Sequence, residues 1–301
     1  RPRTRNFIGT TTMANIAFLG TGLLGSAFAE AAARRGDTVT AWNRSPDKAL
    51  GLAPFGIKAA ATPAEAVRGA TRVHLVLRDD AVVDDVIAAA RPGLSAEAIL
   101  IDHTTTLPRL TAERAERLRA EGIRYLHCPV FMGPPAARNA QGLMLATGSR
   151  TLFDSVEAEL ARMTGRLEYM GERPDLAAVN KLLGNAMLIG LWAVMADVLT
   201  LAKACGVDAG DAIGLLANLD LNAAVSRRGA SMAKRDFTPT FELAMARKDV
   251  RLMLETSGDR PMAALPAVAA RMDQLVAAGH GADDASVLAI DAVDPASVLG
   301  R

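Results

Sequence analysis

Over the first half of the chain, short apolar runs alternate with Ala-rich or amphipathic stretches. Runs at 14–20, 38–42, 73–77, 98–102, 124–128 and 143–147 predict strands, and the stretches at about 23–35, 46–53, 63–68, 80–90 and 108–121 predict helices. Val73-His-Leu-Val-Leu77 and Ala98-Ile-Leu-Ile101 are almost continuously apolar, as parallel strands covered on both faces are. The alternation predicts an α/β fold, a doubly wound parallel sheet of Rossmann type. One more helix at 152–163 and a short strand near Leu167 extend it.

From Pro174 no convincing strand remains. Residues 176–204 form one helical pattern, which at 1.5 Å per residue spans roughly 45 Å. Gly206 is its stop signal and Asp208 the next N-cap. Helices are expected at 209–217, 221–233, 240–257 and 262–277, with Thr238-Pro239 marking one start, and a short helix at 283–289. The expected domains are therefore an extension or tag remnant at 1–12, a Rossmann domain at 13–173 and an all-helical domain for substrate binding and dimerisation at 174–301. The expected site is the cleft between the last two.

Composition narrows the function. Among 301 residues, 4% are aromatic and the net charge is +1, with no basic patch of the kind nucleic-acid grooves carry. No membrane span is expected: the apolar stretch 186–198 reads as a buried core helix, and the first twelve residues lack a signal peptide's apolar core. Cys128 and Cys205 lie far apart and without metal-ligand companions, so both read as small buried groups, no metal is expected, and a cytoplasmic location fits.

The most specific local signal is Gly20-Thr-Gly22-Leu23-Leu24-Gly25, set between a strand and an Ala-rich helix. Such glycines permit a tight turn, close approach of a pyrophosphate and close helix packing, and the helix N-terminus offers free amides to the phosphates. At the tip of the second strand, where an acidic residue takes the ribose hydroxyl in NAD sites, this chain has Asn43, Arg44 and Ser45. A forked guanidinium suits a 2′-phosphate, so the expected cofactor is NADP(H), with Asn43 and Ser45 adding neutral hydrogen bonds.

On the long helix, Lys181 and Asn185 share a face. A lysine within an apolar helical stretch is unusual; beside a substrate carbonyl, partial desolvation would lower its pKa toward a working range for proton transfer. Periodicity alone equally allows a solvated surface lysine. Lys248 and Asp249 read either as a second cleft pair or as part of a charged face. The loops after the fourth and fifth strands, Asp102-His-Thr-Thr105-Thr-Leu-Pro108 and Pro129-Val-Phe131-Met132-Gly133-Pro-Pro, lie where open α/β sheets bind ligands.

Together these segments resemble the β-hydroxyacid dehydrogenase family, which includes 3-hydroxyisobutyrate dehydrogenase and the glyoxylate/succinic semialdehyde reductases, over nearly the whole chain. The resemblance implies an NADP(H)-dependent oxidoreductase of a small aldehyde or β-hydroxy acid, with Lys181 as general acid/base and Asn185, Thr105, Phe131, Met132 and Gly133 at the substrate. It places Gly20, Gly22, Leu23, Leu24, Gly25, Asn43, Arg44, Ser45, Leu77, Thr105 and Lys248 at the cofactor. A homodimer or homotetramer is also implied, with a small molecule as substrate and neither nucleic acid nor membrane as partner. One segment departs. Where the family typically has Pro-Val-Ser-Gly-Gly, this chain has Pro129-Val130-Phe131-Met132-Gly133, which removes a hydroxyl and favours a less polar substrate. The related imine reductases also depart here but usually lack the lysine, so imine reduction is the alternative activity. A non-catalytic dinucleotide-binding interaction module is the alternative of another class.

Overall fold

The computed structural model describes residues 14–294; the expected extension at 1–12 lies outside them. Strand β1 (Asn15–Leu19) leads through the glycine turn into α1 (Leu23–Arg34). There follow β2 (Thr38–Trp42), α2 (Pro46–Leu50), β3 (Lys58–Ala59), α3 (Pro63–Ala66), β4 (Arg72–Leu75), α4 (Asp80–Ala90), β5 (Ile99–Asp102), α5 (Pro108–Ala120) and β6 (Arg124–His127). This half closes with β7 (Val130–Phe131), α6 (Pro134–Arg138), β8 (Leu143–Thr147), α7 (Arg150–Asp154), α8 (Glu157–Ala161) and β9 (Arg166–Gly171).

The sheet order is β3-β2-β1-β4-β5-β6-β8-β7, with β9 paired to β8. The six strands from β3 to β6 are parallel, and the order reverses direction between β1 and β4, the switch point of a doubly wound fold. Alternation along β1 sends Ile16 and Phe18 to one core, with Phe28 and Ile101, and Ala17 and Leu19 to the other, with Leu75 and Leu100. Both faces are thus covered, which is why these strands read as unbroken apolar runs.

Several expectations need correction. The sheet is not parallel throughout: β8 runs antiparallel to β6 and β7. The two-residue strands β3 and β7 are too short to carry a periodicity. The expected helix at 152–163 is two, α7 and α8, split at Ser155-Val156 so that Phe153, Val156 and Leu160 all enter the core. The expected helix at 46–53 ends at Leu50. Cys128 is buried as expected, whereas Cys205 is exposed.

The second half contains α9 (Leu176–Ala204), α10 (Ala209–Leu216), α11 (Leu221–Lys234), α12 (Leu243–Ser257) and α13 (Leu265–Leu275), then a π-helical turn at Val276–His280 and a 3-10 turn at Ala285–Ala289. The chain divides into two compact units between Asn185 and Ala186, inside α9. The long helix is not the buried core helix expected of residues 186–198: Met187, Ile189, Leu191 and Trp192 are all exposed. By length and composition alone it could cross a membrane.

Two buried carboxylates organise the second unit. Asp197 of α9 is 1% exposed and accepts the amides of Ala263, Ala264 and Leu265, which fixes the start of α13. Asp284 accepts the amides of Thr240, Phe241 and Ser286 and the Thr240 hydroxyl, and pairs with Arg228. That capture explains why α12 begins at Leu243 and not at the Thr238-Pro239 signal. Burial alone would raise the Asp284 pKa, but the donated hydrogen bonds hold it well below the ordinary carboxylate range. Asp284→Asn is expected to lower stability by about 2 kcal/mol at pH 7, because charge-assisted bonds are weakened around buried donors. The wild-type advantage should be full above the unfolded-state pKa near ~4 and fade as pH falls toward the depressed native value. Urea denaturation of both proteins across pH checks this; an unchanged midpoint at pH 7 would contradict it.

Candidate active site

Five neighbouring parallel strands, β2, β1, β4, β5 and β6, end beside one another, and the segments that follow them form the candidate site. After β1, Gly20 adopts φ +101°, and a Cβ there would lie 2.3 Å from the Val76 carbonyl oxygen. A Cβ on Gly25 would lie 2.0 Å from the Gly20 carbonyl oxygen. The chain's own packing therefore requires both glycines. Gly22 differs: a Cβ there would meet nothing within 4 Å. Gly22 caps α1 with no side-chain hydrogen bond, and the first turn carries no acidic residue, so the positive helix end faces open space. The Thr21 hydroxyl is buried without a partner. Open space above a capping glycine, a free helix N-terminus and an orphaned hydroxyl fit a bound pyrophosphate. Leu23, at the mouth of the turn, is 84% exposed.

At the tip of β2 the side chains divide their roles. The Asn43 carbonyl accepts the Thr21 amide at 3.0 Å, and its amide donates to the Ser45 carbonyl at 3.1 Å. Asn43 thus braces the glycine turn, using its carbonyl and one of its two amide hydrogens. Arg44 and Ser45 are exposed, and Arg44 makes no ion pair among the described residues.

The loop after β5 stands on a buried polar network that sequence reasoning missed. Asp102, fully buried, accepts the Thr104 amide at 2.9 Å and the Tyr125 hydroxyl at 2.9 Å. The Thr104 hydroxyl accepts the amide of Leu77, which ties the ends of β4 and β5 together. Burial pushes the His103 pKa down to about 4, so the ring is neutral near pH 7. The Cys128 carbonyl can only accept, so His103 Nδ1 carries the proton at 2.7 Å, and His103 Nε2 accepts from His74 Nδ1 at 2.9 Å. On the outer side, Arg114 reaches Asp80 and Asp84, each at 2.8 Å, while Asp80 accepts the Leu107 amide. Within this braced segment Thr105 alone among residues 102–106 is exposed. The sequence signal for this network is a run of hydroxyls and histidine after an apolar strand.

The segment after β6 is more than a rigid Pro-rich turn. Val130 and Phe131 form β7, with Phe131 opposite Leu143 of β8, and Met132 packs against the core. Gly133 then caps α6, which Arg138 fastens to the buried Glu30 of α1 at 2.7 Å. The start of α9 belongs to this same unit. Lys181 Nζ donates to Asn185 Oδ1 at 2.9 Å and lies 4.1 Å from the centre of the Phe131 ring. Lys181 is half-buried, and burial lowers its pKa below the ordinary lysine value. The amine is thus partly desolvated, held by Asn185 and adjacent to the Phe131 segment. Lys248 lies on α12 in the other unit, 2.9 Å from Asp249 and partly exposed. A separate groove of about 740 Å³ near Arg119, Tyr125, Ser149 and Glu172 contains none of the site residues expected from the sequence.

Comparison with known proteins gives the family and the fold. Residues 15–171 match the family described as the NAD binding domain of 6-phosphogluconate dehydrogenase, and residues 177–290 match that described as NAD-binding of NADP-dependent 3-hydroxyisobutyrate dehydrogenase. The chain is 27% identical over 293 residues to glyoxylate/succinic semialdehyde reductase 2, chloroplastic, of Arabidopsis thaliana, covering 96% of this chain and 81% of that protein. A reductive aminase from Aspergillus terreus, solved with NADPH4, cyclohexanone and allyl amine, superposes with a TM-score of 0.84 at 25% identity, over 93% of this chain and 99% of that one. An imine reductase from Pseudomonas sp. shares the fold, with a TM-score of 0.85 at 21% identity, over 93% of this chain and all of that one. On its two matched halves and its relatives, the chain belongs to the β-hydroxyacid dehydrogenase family.

Proposed function

We propose that this protein is an NADP(H)-dependent reductase of a small carbonyl compound, with Lys181 as the proton donor. The carrying observation is the half-buried Lys181, held by Asn185 and Phe131 in the same unit as an open glycine turn. Gly20, Gly22, Leu23, Leu24 and Gly25 would hold the pyrophosphate through the α1 N-terminus, Arg44 and Ser45 the 2′-phosphate, and Leu77 and Thr105 the nicotinamide end. Lys248 is the further residue we propose for the cofactor, on the family resemblance alone. When bound, the nicotinamide supplies or accepts the hydride. Lys181 delivers a proton to the substrate oxygen as negative charge builds there, and takes it back in the oxidation direction. Asn185 orients the ammonium, and Thr105, Phe131, Met132 and Gly133 shape the substrate's side of the site.

Imine reduction is the second reading, favoured by the likeness to the reductive aminase. The ammonium argues for a carbonyl: a cation stabilises a developing alkoxide but repels an iminium ion. The same lysine argues against a non-catalytic interaction module.

The assembly we propose is a homodimer or homotetramer in the cytoplasm, in which a second copy covers the exposed apolar face of α9. Asp197, buried in that helix to cap α13, suits a protein-covered helix better than a lipid-facing one.

Lys181→Ala is expected to lower kcat for carbonyl reduction by about 10²-fold or more while leaving the NADPH dissociation constant within about threefold. In the wild type, kcat/KM for reduction should fall as pH rises through a lysine pKa below the ordinary value, and the variant should lose that limb. Normal turnover by the variant would refute the assigned role. Arg44→Ala should reduce the preference for NADPH over NADH by about ten- to 100-fold, from a charge-assisted contact of about 1.5–3 kcal/mol. Gly22→Ala should weaken NADPH binding at least about tenfold, as the second glycine serves the pyrophosphate's approach, with little change in the thermal midpoint of the unliganded protein. Calorimetric titration and a melting curve read both; equal affinity in the Gly22 variant would show that its open space is not the cofactor's.

A further inference from the structure

Gly184 precedes Asn185 on α9 and has a close neighbour. A Cβ built there would fall 2.4 Å from Phe131 Cζ and 2.6 Å from Cε1. The ring therefore lies directly against helix backbone, and only glycine leaves room for it. From the same helix, three residues earlier, Lys181 places its ammonium 4.1 Å from the ring centre. The backbone that carries the ring is held as well: Phe131 pairs with Leu143, and a Cβ on Gly142 would meet the Phe131 carbonyl oxygen at 2.8 Å and Met132 Cβ at 2.7 Å.

An ammonium has three N–H donors. In Lys181 one is directed to Asn185 Oδ1, and the cation rests on the negative face of the Phe131 ring. These two contacts leave one donor direction for a substrate oxygen. The ring brings no hydroxyl, and its π face repels an anion placed against it. A carboxylate beside Lys181 would have to displace the ring or lie on an unfavourable surface, whereas an uncharged alkyl or aryl group would gain contact area.

We propose that Phe131, seated on Gly184, is both a positioning residue for Lys181 and the determinant of substrate class, selecting carbonyl compounds with an uncharged apolar group over those bearing a carboxylate. This rests on the reductase reading above for its substrate half; the positioning half stands on the unliganded protein.

The test is a double-mutant cycle of Phe131→Ser and Gly184→Ala, with kcat/KM measured under NADPH for succinic semialdehyde and for pentanal, an uncharged aldehyde of similar length. Phe131→Ser should raise the ratio of succinic semialdehyde to pentanal at least tenfold. Gly184→Ala should lower kcat/KM for pentanal about tenfold when Phe131 is present and less than threefold in the Phe131→Ser background, because the clash then has no ring to displace. An unchanged ratio, or an equal loss in both backgrounds, would overturn the proposal. A second arm needs no turnover: acylation of Lys181 at pH 8 in cofactor-free protein, followed by mass spectrometry. Freed from the ring, the amine in Gly184→Ala should react at least threefold faster than in the wild type; an equal rate would overturn the positioning half. Since glycine-to-alanine changes favour a helix, the variant's circular dichroism should match the wild type's. If the wild type turns over neither these aldehydes nor any other carbonyl, the reductase reading fails, and the acylation arm still decides whether Phe131 seats Lys181.

Discussion

The site depends on how closely β1 and β4 approach at their carboxyl ends. The Gly20 backbone lies so near Val76, and Gly25 so near Gly20, that no side chain fits at either glycine. This contact brings α1 down onto the sheet and aims its N-terminus at the space over Gly22. The Asn43 side chain on the Thr21 amide and the Gly20 amide on the Trp42 carbonyl, at 2.8 Å, hold the turn from the β2 side. A loop built this way is preorganised: its amides need not be ordered by the ligand, which lowers the cost of binding.

The remaining parts are braced from within the sheet. Buried polar groups are costly unless partnered, and the Asp102, His103 and Thr104 cluster is almost fully satisfied by backbone and side-chain donors. Its neutral histidines serve as fixed struts, and the loop they support leaves Thr105 exposed between buried neighbours. The Phe131 segment is anchored in turn by Arg138 on Glu30 and by the β7–β8 pairing. The ammonium of Lys181 is thus placed by two neighbours, Asn185 and Phe131.

Much of this architecture is legible in the amino-acid sequence. The bounds of α9 are, because a long apolar helix with a glycine stop has few alternatives, and so is the glycine turn, because it sits between a strand and a helix. The two-residue strands are not, as periodicity needs more residues than they have. Nor is the exposure of Cys205 and of the apolar face of α9, because hydrophobicity predicts burial without saying what does the burying. The bracing of the Thr21 amide by Asn43 is not legible, because it joins two different strand ends. The pairing of Phe131 with Gly184 joins residues 53 positions apart, beyond the reach of any local pattern.

Family membership and the matched halves carry the oxidoreductase assignment, and the Phe131 ring beside Lys181 carries the proposal about substrate class. The central claim is that hydride moves from a nicotinamide to a carbonyl carbon while the protein supplies the proton. The most direct measurement is reduction of an uncharged aldehyde with NADPH deuterated at both C4 positions, followed by mass spectrometry of the alcohol. One deuterium on the former carbonyl carbon is the predicted result. An unlabelled alcohol, or no alcohol from any carbonyl supplied, would contradict it.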